Sequence, residues 1–573
     1  MSHLFILVAL ALLHLAAMGS ACHALLHKRD SGAALGWVAL LLFMPPAGLP
    51  LYWLFGIARV DSQAVKLMEK AARQVVNGLL DLHGRLLERE PWGAVRDESL
   101  PGVFRHLVQP GRAITGRSLA GGNTVLPLHN GEAAYPAMLR AIGQARRRVY
   151  LSTFIFGNDA VGASFAAALA RAAERGCDVR LLMDGVGSFH PLAGWKRRLG
   201  PKVRLAYFLP PALAPLQLSI NLRTHRKMLI CDGQEAFTGG MNISEHHLAD
   251  LPRPDRVQDV HFRCVGPVAR QLEVAFLLDW RFVTAHAARM AADPGASILT
   301  PRRSAFLRKE QKAGEHEPSG TILAGAPGAL RDERAVPATE PSADAGAPGA
   351  EVFSSGASPA AASATELSGA NAVSSERMEP AGLRAEHPDA TGGTSLCRIL
   401  MDGPGAPDKT IEDLFCAMIS SARATVRIMS PYFLPSQRLA SALSAAVLRG
   451  VDVTVIVPGE NNHRLVDWAM RHQIPLLEAK GVRIFRQPPP FAHTKLLLVD
   501  GAYTLLGSAN LDPRSLNLNF ELVMEVFDTA LATDLGAFYD TVRERSSACS
   551  VDSPPALPVR MRNAASWLFS PYL

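Results

Sequence analysis

The chain has 573 residues, with 59 Lys and Arg against 52 Asp and Glu for a formal net charge of +7. That is long enough for more than one core, and the basic excess suits an anionic surface, lipid or nucleic acid, without choosing between them. Its seven cysteines (Cys22, Cys177, Cys231, Cys264, Cys397, Cys416 and Cys549) are odd in number and show no CxxC or Cys/His spacing, which excludes a disulfide framework and a zinc site and leaves buried thiols.

Leu4 to Leu26 carries no Lys, Arg, Asp or Glu, and after His27-Lys28-Arg29-Asp30 a second uncharged run extends from Ser31 to Ala58. Each is long enough to cross a hydrocarbon layer of about 30 Å, and Trp37, Tyr52 and Trp53 sit where interfacial rings belong. A cleaved signal peptide needs a basic start, which Met1-Ser2-His3 lacks. Residues 1–60 are therefore expected to form a membrane anchor. Pro45, Pro46 and Pro50 also admit a kinked or re-entrant second segment.

Residues 61–122 form a connecting region. In Asp61 to Glu90, Val65, Leu67, Met68, Val75, Leu79 and Leu82 recur among Lys66, Lys70 and Arg73; a helix near lipid headgroups and a linker helix packed on the globular part both fit. From Asn123 strand and helix alternate. Arg148 to Phe156 reads as a strand, Gly162 to Arg175 as a helix stopped by Gly176, and Val179 to Met183 as a buried strand. Thr425 to Met429, Arg438 to Arg449 and Val451 to Val457 repeat that unit, so residues 123–302 and 396–573 read as two copies of one α/β domain. Between them, residues 303–395 collapse into Ala, Gly, Pro, Ser and Glu, a composition expected to be disordered.

The chemistry lies in the repeat. His225-Arg226-Lys227 leads through Met228 to Cys231 into Asp232, then Gly239-Gly240-Met241-Asn242; His493-Thr494-Lys495 leads through Leu496 to Val499 into Asp500, then Gly507-Ser508-Ala509-Asn510. His, Lys, Asp and Asn each recur 268 residues later (225/493, 227/495, 232/500 and 242/510). His and Lys two apart on a strand share a face. Asp-Gly supplies a hairpin turn, and the return strand brings Asn242 and Asn510 back beside the His/Lys pair. Five strand residues span about 17 Å, which puts Asp232 and Asp500 at the turn in a structural role. A single HxK is usually a polar strand edge. Two copies with matched Asp and Asn offer two imidazoles, two ammoniums and two amides, a set suited to a phosphodiester without metal.

This paired pattern resembles the phospholipase D superfamily over nearly the whole chain apart from the insert. The resemblance implies an α/β fold of two similar α/β/α lobes with one active site between them, here preceded by two N-terminal transmembrane helices. It implies a catalytic set of His225, Lys227, Asp232, His493, Lys495 and Asp500, with Asn242, Ser508 and Asn510 toward substrate. It also implies an acid that orients a histidine in each half: Glu521 in the second, expected to serve His493, and Asp259 in the first. Two hydrophobic segments, Ser430-Pro431-Tyr432-Phe433-Leu434-Pro435, and Ser508 to Ser515 with Leu518-Asn519-Phe520-Glu521 are similar to bacterial cardiolipin synthases.

The reaction so implied joins two phosphatidylglycerols and releases glycerol through a phosphohistidine, with His225 attacking and His493 protonating the leaving group. No cofactor, phosphatidylglycerol and anionic membrane lipid as partners, no nucleic acid, and a multi-pass protein of the bacterial inner membrane complete the expectation. Protein partners are not legible. A hydrolytic phospholipase D, a transferase with another donor lipid and a superfamily nuclease remain as alternatives. The hydrophobic segments and the lack of a Lys/Arg stripe with aromatics weigh against the nuclease, and the intact His and Lys weigh against a non-catalytic scaffold. Gly240 departs from the pattern, where Ser508 stands in the second half.

Overall fold

The computed structural model describes residues 2–27, 31–53, 94–95, 100–188, 194–210, 222–292, 393–403, 410–549 and 555–570. The expected helix over 61–90 and the low-complexity stretch as far as residue 392 lie outside them.

The N-terminal part comprises α1 (Ser2–His27), α2 (Ser31–Phe43) and α3 (Pro45–Leu51). Leu4–His27 is long and apolar enough to cross a membrane, and among the described residues it is the one helix that is. The second apolar run, expected as another crossing helix, is broken. Pro45 and Pro46 have no amide hydrogen to continue α2, and Met44 leaves helical geometry at φ −136°, ψ 60°. The 13 residues of α2 cover only about 20 Å. The chain then folds back toward α1. Tyr52 Oη lies 2.8 Å from His23 Nδ1, and Trp53 Nε1 donates to Ser20 Oγ at 3.2 Å.

The globular part begins with α4 (Arg105–Thr115). The first copy continues as β1 (Ala120–His129), α5 (Asn130–Gln144), β2 (Arg148–Thr153), α6 (Ala160–Glu174), β3 (Asp178–Asp184), α7 (Trp195–Leu199), β4 (Arg204–Phe208), β5 (Arg223–Thr224), β6 (Met228–Cys231), β7 (Glu235–Gly239), β8 (Val257–Gln258), β9 (Val260–Val265) and α8 (Pro267–Ala292). The second has β10 (Ser395–Asp402), α9 (Thr410–Ser421), β11 (Thr425–Met429), α10 (Gln437–Leu448), β12 (Asp452–Pro458), α11 (Arg464–Glu478), β13 (Arg483–Gln487), β14 (Phe491–Ala492), β15 (Leu496–Val499), β16 (Tyr503–Gly507), α12 (Pro513–Asn517), β17 (Asn519–Phe527), α13 (Thr529–Glu544), β18 (Ser547–Ala548) and α14 (Leu557–Leu568).

The sheet order is β18-β13-β12-β11-β15-β16-β17-β10-β1-β9-β7-β6-β2-β3-β4. It reads alike outward from the antiparallel β1–β10 pair, where Ala120 faces Cys397. In each direction come three antiparallel strands ending in a hairpin, then a parallel trio, β2-β3-β4 or β11-β12-β13. Both hairpins turn at Asp-Gly with positive φ at both residues: Asp232 (55°) and Gly233 (67°), Asp500 (52°) and Gly501 (61°). Two left-handed residues match the twist of the flanking strands, and Asp and Gly tolerate that region best.

Helices lie on both faces. One face of each copy has its own core, around Phe165 and Leu181 in the first and around Leu443 and Val455 in the second. A third core takes residues from both copies, with Phe262, Phe276 and Trp280 beside Leu498, Leu522 and Tyr539. Burying apolar surface at roughly 25 cal/mol per Å² lets this shared layer hold the copies together, beside the β1–β10 pairing.

Candidate active site

Two short strand exchanges build the site. β5 runs parallel to the start of β17, with Arg223 opposite Asn519, and the His225 amide donates to Phe520 O at 2.9 Å. In the same way β14 runs parallel to β8, with Phe491 opposite Val257, and the His493 amide donates to Gln258 O at 2.8 Å. Each histidine therefore enters the site bound to the strand of the other copy.

The acids follow that exchange. Nδ1 of His225 lies 3.1 Å from both carboxylate oxygens of Glu521, and Nδ1 of His493 lies 2.7 Å from Asp259 Oδ2. The expected pairing of Glu521 with His493 is thus corrected: the acid of each copy orients the histidine of the other. Strand register makes the two acids equivalent, since Gly239 pairs with His261 and Gly507 with Val523, two residues beyond Asp259 and Glu521. A carboxylate on Nδ1–H leaves Nε2 with its lone pair free.

Lys227 Nζ donates to His225 O at 2.7 Å, and Lys495 Nζ to His493 O at 2.6 Å. Lys495 Nζ also lies 3.1 Å from both ring nitrogens of His493. Both ammoniums are almost fully buried. Burial, with the repulsion of Lys495, brings Lys227 down to about 7; burial also brings Lys495 down to about 8, against the pull of Asp259 and Glu521. Burial lowers His225 despite Glu521, and burial with both lysines holds His493 well below the usual imidazole value.

The acids differ. Burial works to raise Glu521, but His225, Lys227 and the Ser508 hydroxyl outweigh it and hold the carboxyl low. Burial wins at Asp259 and raises it. Two buried ammoniums, matched only in part by these carboxylates, form a ready site for an anion.

The other expected site residues fall as follows. Asn242 Oδ1 accepts from the Ile155 amide at 3.1 Å, whereas Asn510 Oδ1 is buried without a protein partner among the described residues. The Ser508 hydroxyl is not free for a substrate. It donates to Glu521 Oε2 at 2.5 Å and accepts from the Leu522 amide at 3.0 Å, so it steadies the acid. At Gly240 a Cβ would stand 2.3 Å from Asp259 Oδ2, so a serine there would push the Asp259 carboxylate from its place against His493.

Neither Asp232 nor Asp500 touches the His or the Lys of a paired motif; Asp500 instead lies 3.6 Å from His106 Nε2, outside the site. Asp232 accepts the amides of Arg146, Arg147 and Arg148, and Asp500 those of Arg423, Ala424 and Thr425, all within 2.9 Å. Membership of the catalytic set is corrected for both. They tie each hairpin to the first strand of its parallel trio.

The chain matches the family described as "Cardiolipin synthase, PLD-like domain" at residues 138–280 and 415–542, the two segments that hold the paired motifs. Residues 6–56 match "Phospholipase_D-nuclease N-terminal". It is 28% identical over 571 residues to cardiolipin synthase A of Pseudomonas syringae pv. syringae (strain B728a), covering 98% of each chain. The chain belongs to the cardiolipin synthase family of the phospholipase D superfamily. Cardiolipin synthase A of Pseudomonas aeruginosa (strain LESB58) is 29% identical over 528 residues, covering 91% of this chain and 86% of that one. A crystal structure of phosphatidylserine synthase from Haemophilus influenzae Rd KW20 shares the fold, with a TM-score of 0.51 at 12% identity over 82% of this chain and all of that one.

Several residues of this cardiolipin synthase family member escaped the motif reading. His247 stands 268 residues before Ser515, the same repeat offset as the motifs, and that spacing could have found it. Ser515 Oγ accepts the Asn510 amide at 2.9 Å and donates to Glu521 Oε1 at 2.5 Å. His247 Nε2 accepts the Asn242 amide at 3.2 Å, and its ring lies 5.9 Å from that of His493. Burial lowers His247 to about 3, so it stays neutral with its proton on Nδ1. Asp184 accepts the amides of Val186 and Gly187 at 2.9 Å and of Thr224 at 3.0 Å, and faces Arg223, fixing the strand that delivers His225. No sequence repeat marks that pair, because position 458 in the second copy is Pro458. Among the described residues no three His, Cys, Asp or Glu side chains converge as a metal-ligand set.

Proposed function

We propose that this protein is a phosphatidyl transferase that makes cardiolipin from two phosphatidylglycerols and releases glycerol. The observation that carries this reading is the meeting of both His/Lys pairs, each histidine held by the acid of the other copy. The near full-length likeness to cardiolipin synthases supports the choice of lipid chemistry.

In this mechanism Lys227 and Lys495 hold the non-bridging oxygens of the phosphodiester. His225 Nε2 attacks phosphorus, a P–N bond forms, and the P–O bond to the glycerol headgroup breaks. His493 gives the departing oxygen its proton. Glycerol leaves, a hydroxyl of the second phosphatidylglycerol enters and loses its proton to His493, and its oxygen takes phosphorus back from His225. The incoming phosphodiester adds negative charge beside His493, which favours the imidazolium that the empty site resists. Glu521, held as an anion, stabilises positive charge on His225 when phosphorus is attached. The two α/β/α copies would act as lobes on either side of this single site.

The same reading places the enzyme in the bacterial inner membrane. Of the two crossings expected for a multi-pass anchor, α1 has the length and α2–α3 folds back, so we infer one crossing and one re-entrant segment. Lys28, Arg29, Arg59, Lys66, Lys70 and Arg73 then share one side, which the positive-inside bias makes cytoplasmic.

The test is purified full-length protein in phosphatidylglycerol bilayers with EDTA present. Cardiolipin and free glycerol should appear in equal amounts. Phosphatidic acid as the main product would replace transfer by hydrolysis, and loss of activity to EDTA would remove the metal-free mechanism.

A further inference from the structure

The C-terminal helix α14 is built inside out. Its polar residues Asn563 and Ser566 are buried against the protein, at 4% and 5% exposure, while Leu557, Met561 and Leu568 are 65%, 64% and 70% exposed. At about 100° per residue, positions 557, 561, 565 and 568 lie on one face. That face is Leu, Met, Ala and Leu, and Phe569 continues it at 58% exposure. Arg560 and Arg562 stand about 100° to either side of Met561, and residues 555–573 contain no Asp or Glu.

The helix is held firmly in this orientation. It packs along α11, where the Arg562 guanidinium lies 4.4 Å from the ring centre of Trp468 and Trp567 meets His472 at 5.2 Å. On α11 itself Leu465 and Leu476 are 51% and 56% exposed, and Arg464 is exposed beside them. The start of α11 adjoins the active site through rings: His463 to Tyr432 at 5.7 Å, Tyr432 to Phe491 at 6.2 Å, and Phe491 to His493 at 5.9 Å.

We propose that the outer faces of α14 and α11 dock on the surface of an anionic bilayer and hold the active site at the lipid from which its substrate comes. An apolar stripe between arginines suits a helix lying in the interface, with side chains among the acyl chains and guanidiniums among phosphates. The absence of acids on the segment favours anionic lipid over a protein face needing matched charge. The lipid-substrate clause rests on the function proposed above; the docking itself does not.

The test uses full-length protein with Cys22→Ser and Cys416→Ala, leaving only buried thiols, and Met561→Cys carrying a bimane label. It is reconstituted in phosphatidylglycerol/phosphatidylcholine bilayers with lipids bearing a nitroxide on the upper acyl chain. Because α1 anchors the protein in any bilayer, quenching reports docking and not mere attachment. Nitroxide should quench the label about two-fold or more, and Arg560→Glu should weaken that quenching. Leu557→Ser with Leu568→Ser should raise KM for phosphatidylglycerol in bilayers while turnover of a soluble p-nitrophenyl phosphodiester is kept. A label that stays bright and open to water overturns the proposal. So does a disulfide cross-link between two copies of the unlabelled Met561→Cys protein, which would make the face a dimer contact. Quenching is read without catalysis, so absence of cardiolipin synthesis would sink the function and leave the docking standing.

Discussion

His225 and Glu521 are 296 residues apart in the chain, yet Nδ1 of the one lies 3.1 Å from the carboxylate of the other. The partner relationship, Asp259 to His493 at 2.7 Å, is its near two-fold image. Neither copy therefore holds a complete histidine–acid pair of its own, and the copies cannot work apart.

Crossing predicts which step each acid serves. Glu521→Gln should slow formation of the phosphohistidine on His225, and Asp259→Asn should slow proton transfer by His493, each on the order of 10²- to 10⁴-fold. With a p-nitrophenyl phosphodiester, whose leaving group needs no proton, Asp259→Asn should recover its first step while Glu521→Gln stays slow. Burst kinetics on that substrate check it; equal recovery of both variants would contradict the crossed roles.

The histidines are told apart by trapping. His225→Ala should form no phosphohistidine from any donor. His493→Ala should still form it from the activated donor, and peptide mapping should place the label on His225. Label on His493 in the wild-type protein would reverse the assignment.

The lysines trade stability for function. Their depressed values mean that the folded state resists their charge fully below about 7 for Lys227 and about 8 for Lys495, and is relieved as pH rises toward the unfolded value of 10.5. Lys227→Met should accordingly hold or raise Tm at pH 6, while activity falls on the order of 10²- to 10³-fold. In the wild type, kcat/KM should decline as pH rises through about 7 to 8, when the free site loses the charge that grips phosphate. Calorimetry and a pH–rate profile measure both; a Tm well below wild type at pH 6 would contradict the trade.

The turn acids should behave oppositely. Asp232→Ala removes three amide contacts and should cost roughly 1–2 kcal/mol, allowing for partial exposure, with little change in kcat of the folded enzyme. Amide hydrogen bonds hold Asp232 and Asp500 below the ordinary value of 3.8 against the opposing effect of burial. Their contribution is thus complete above that value and fades as pH falls through the folded one. A large kcat loss with unchanged Tm would return them to the catalytic set.

By itself the sequence determined the duplication, the two His/Lys pairs, the Asp-Gly hairpins and the apolar start of the chain. Each is a local pattern or a repeat at one fixed offset, carried by side-chain periodicity and turn chemistry that need no distant partner. Tertiary structure alone decided which acid serves which histidine, because parallel pairing of β5 with β17 and β14 with β8 crosses between copies, and no spacing encodes that exchange. It also decided that Ser508 braces Glu521, that the Asp259 carboxylate crowds Gly240, and that the second apolar run turns back at its prolines. Hydropathy counts apolar residues whether a helix continues or breaks; where the chain goes next is fixed by the surfaces it then meets.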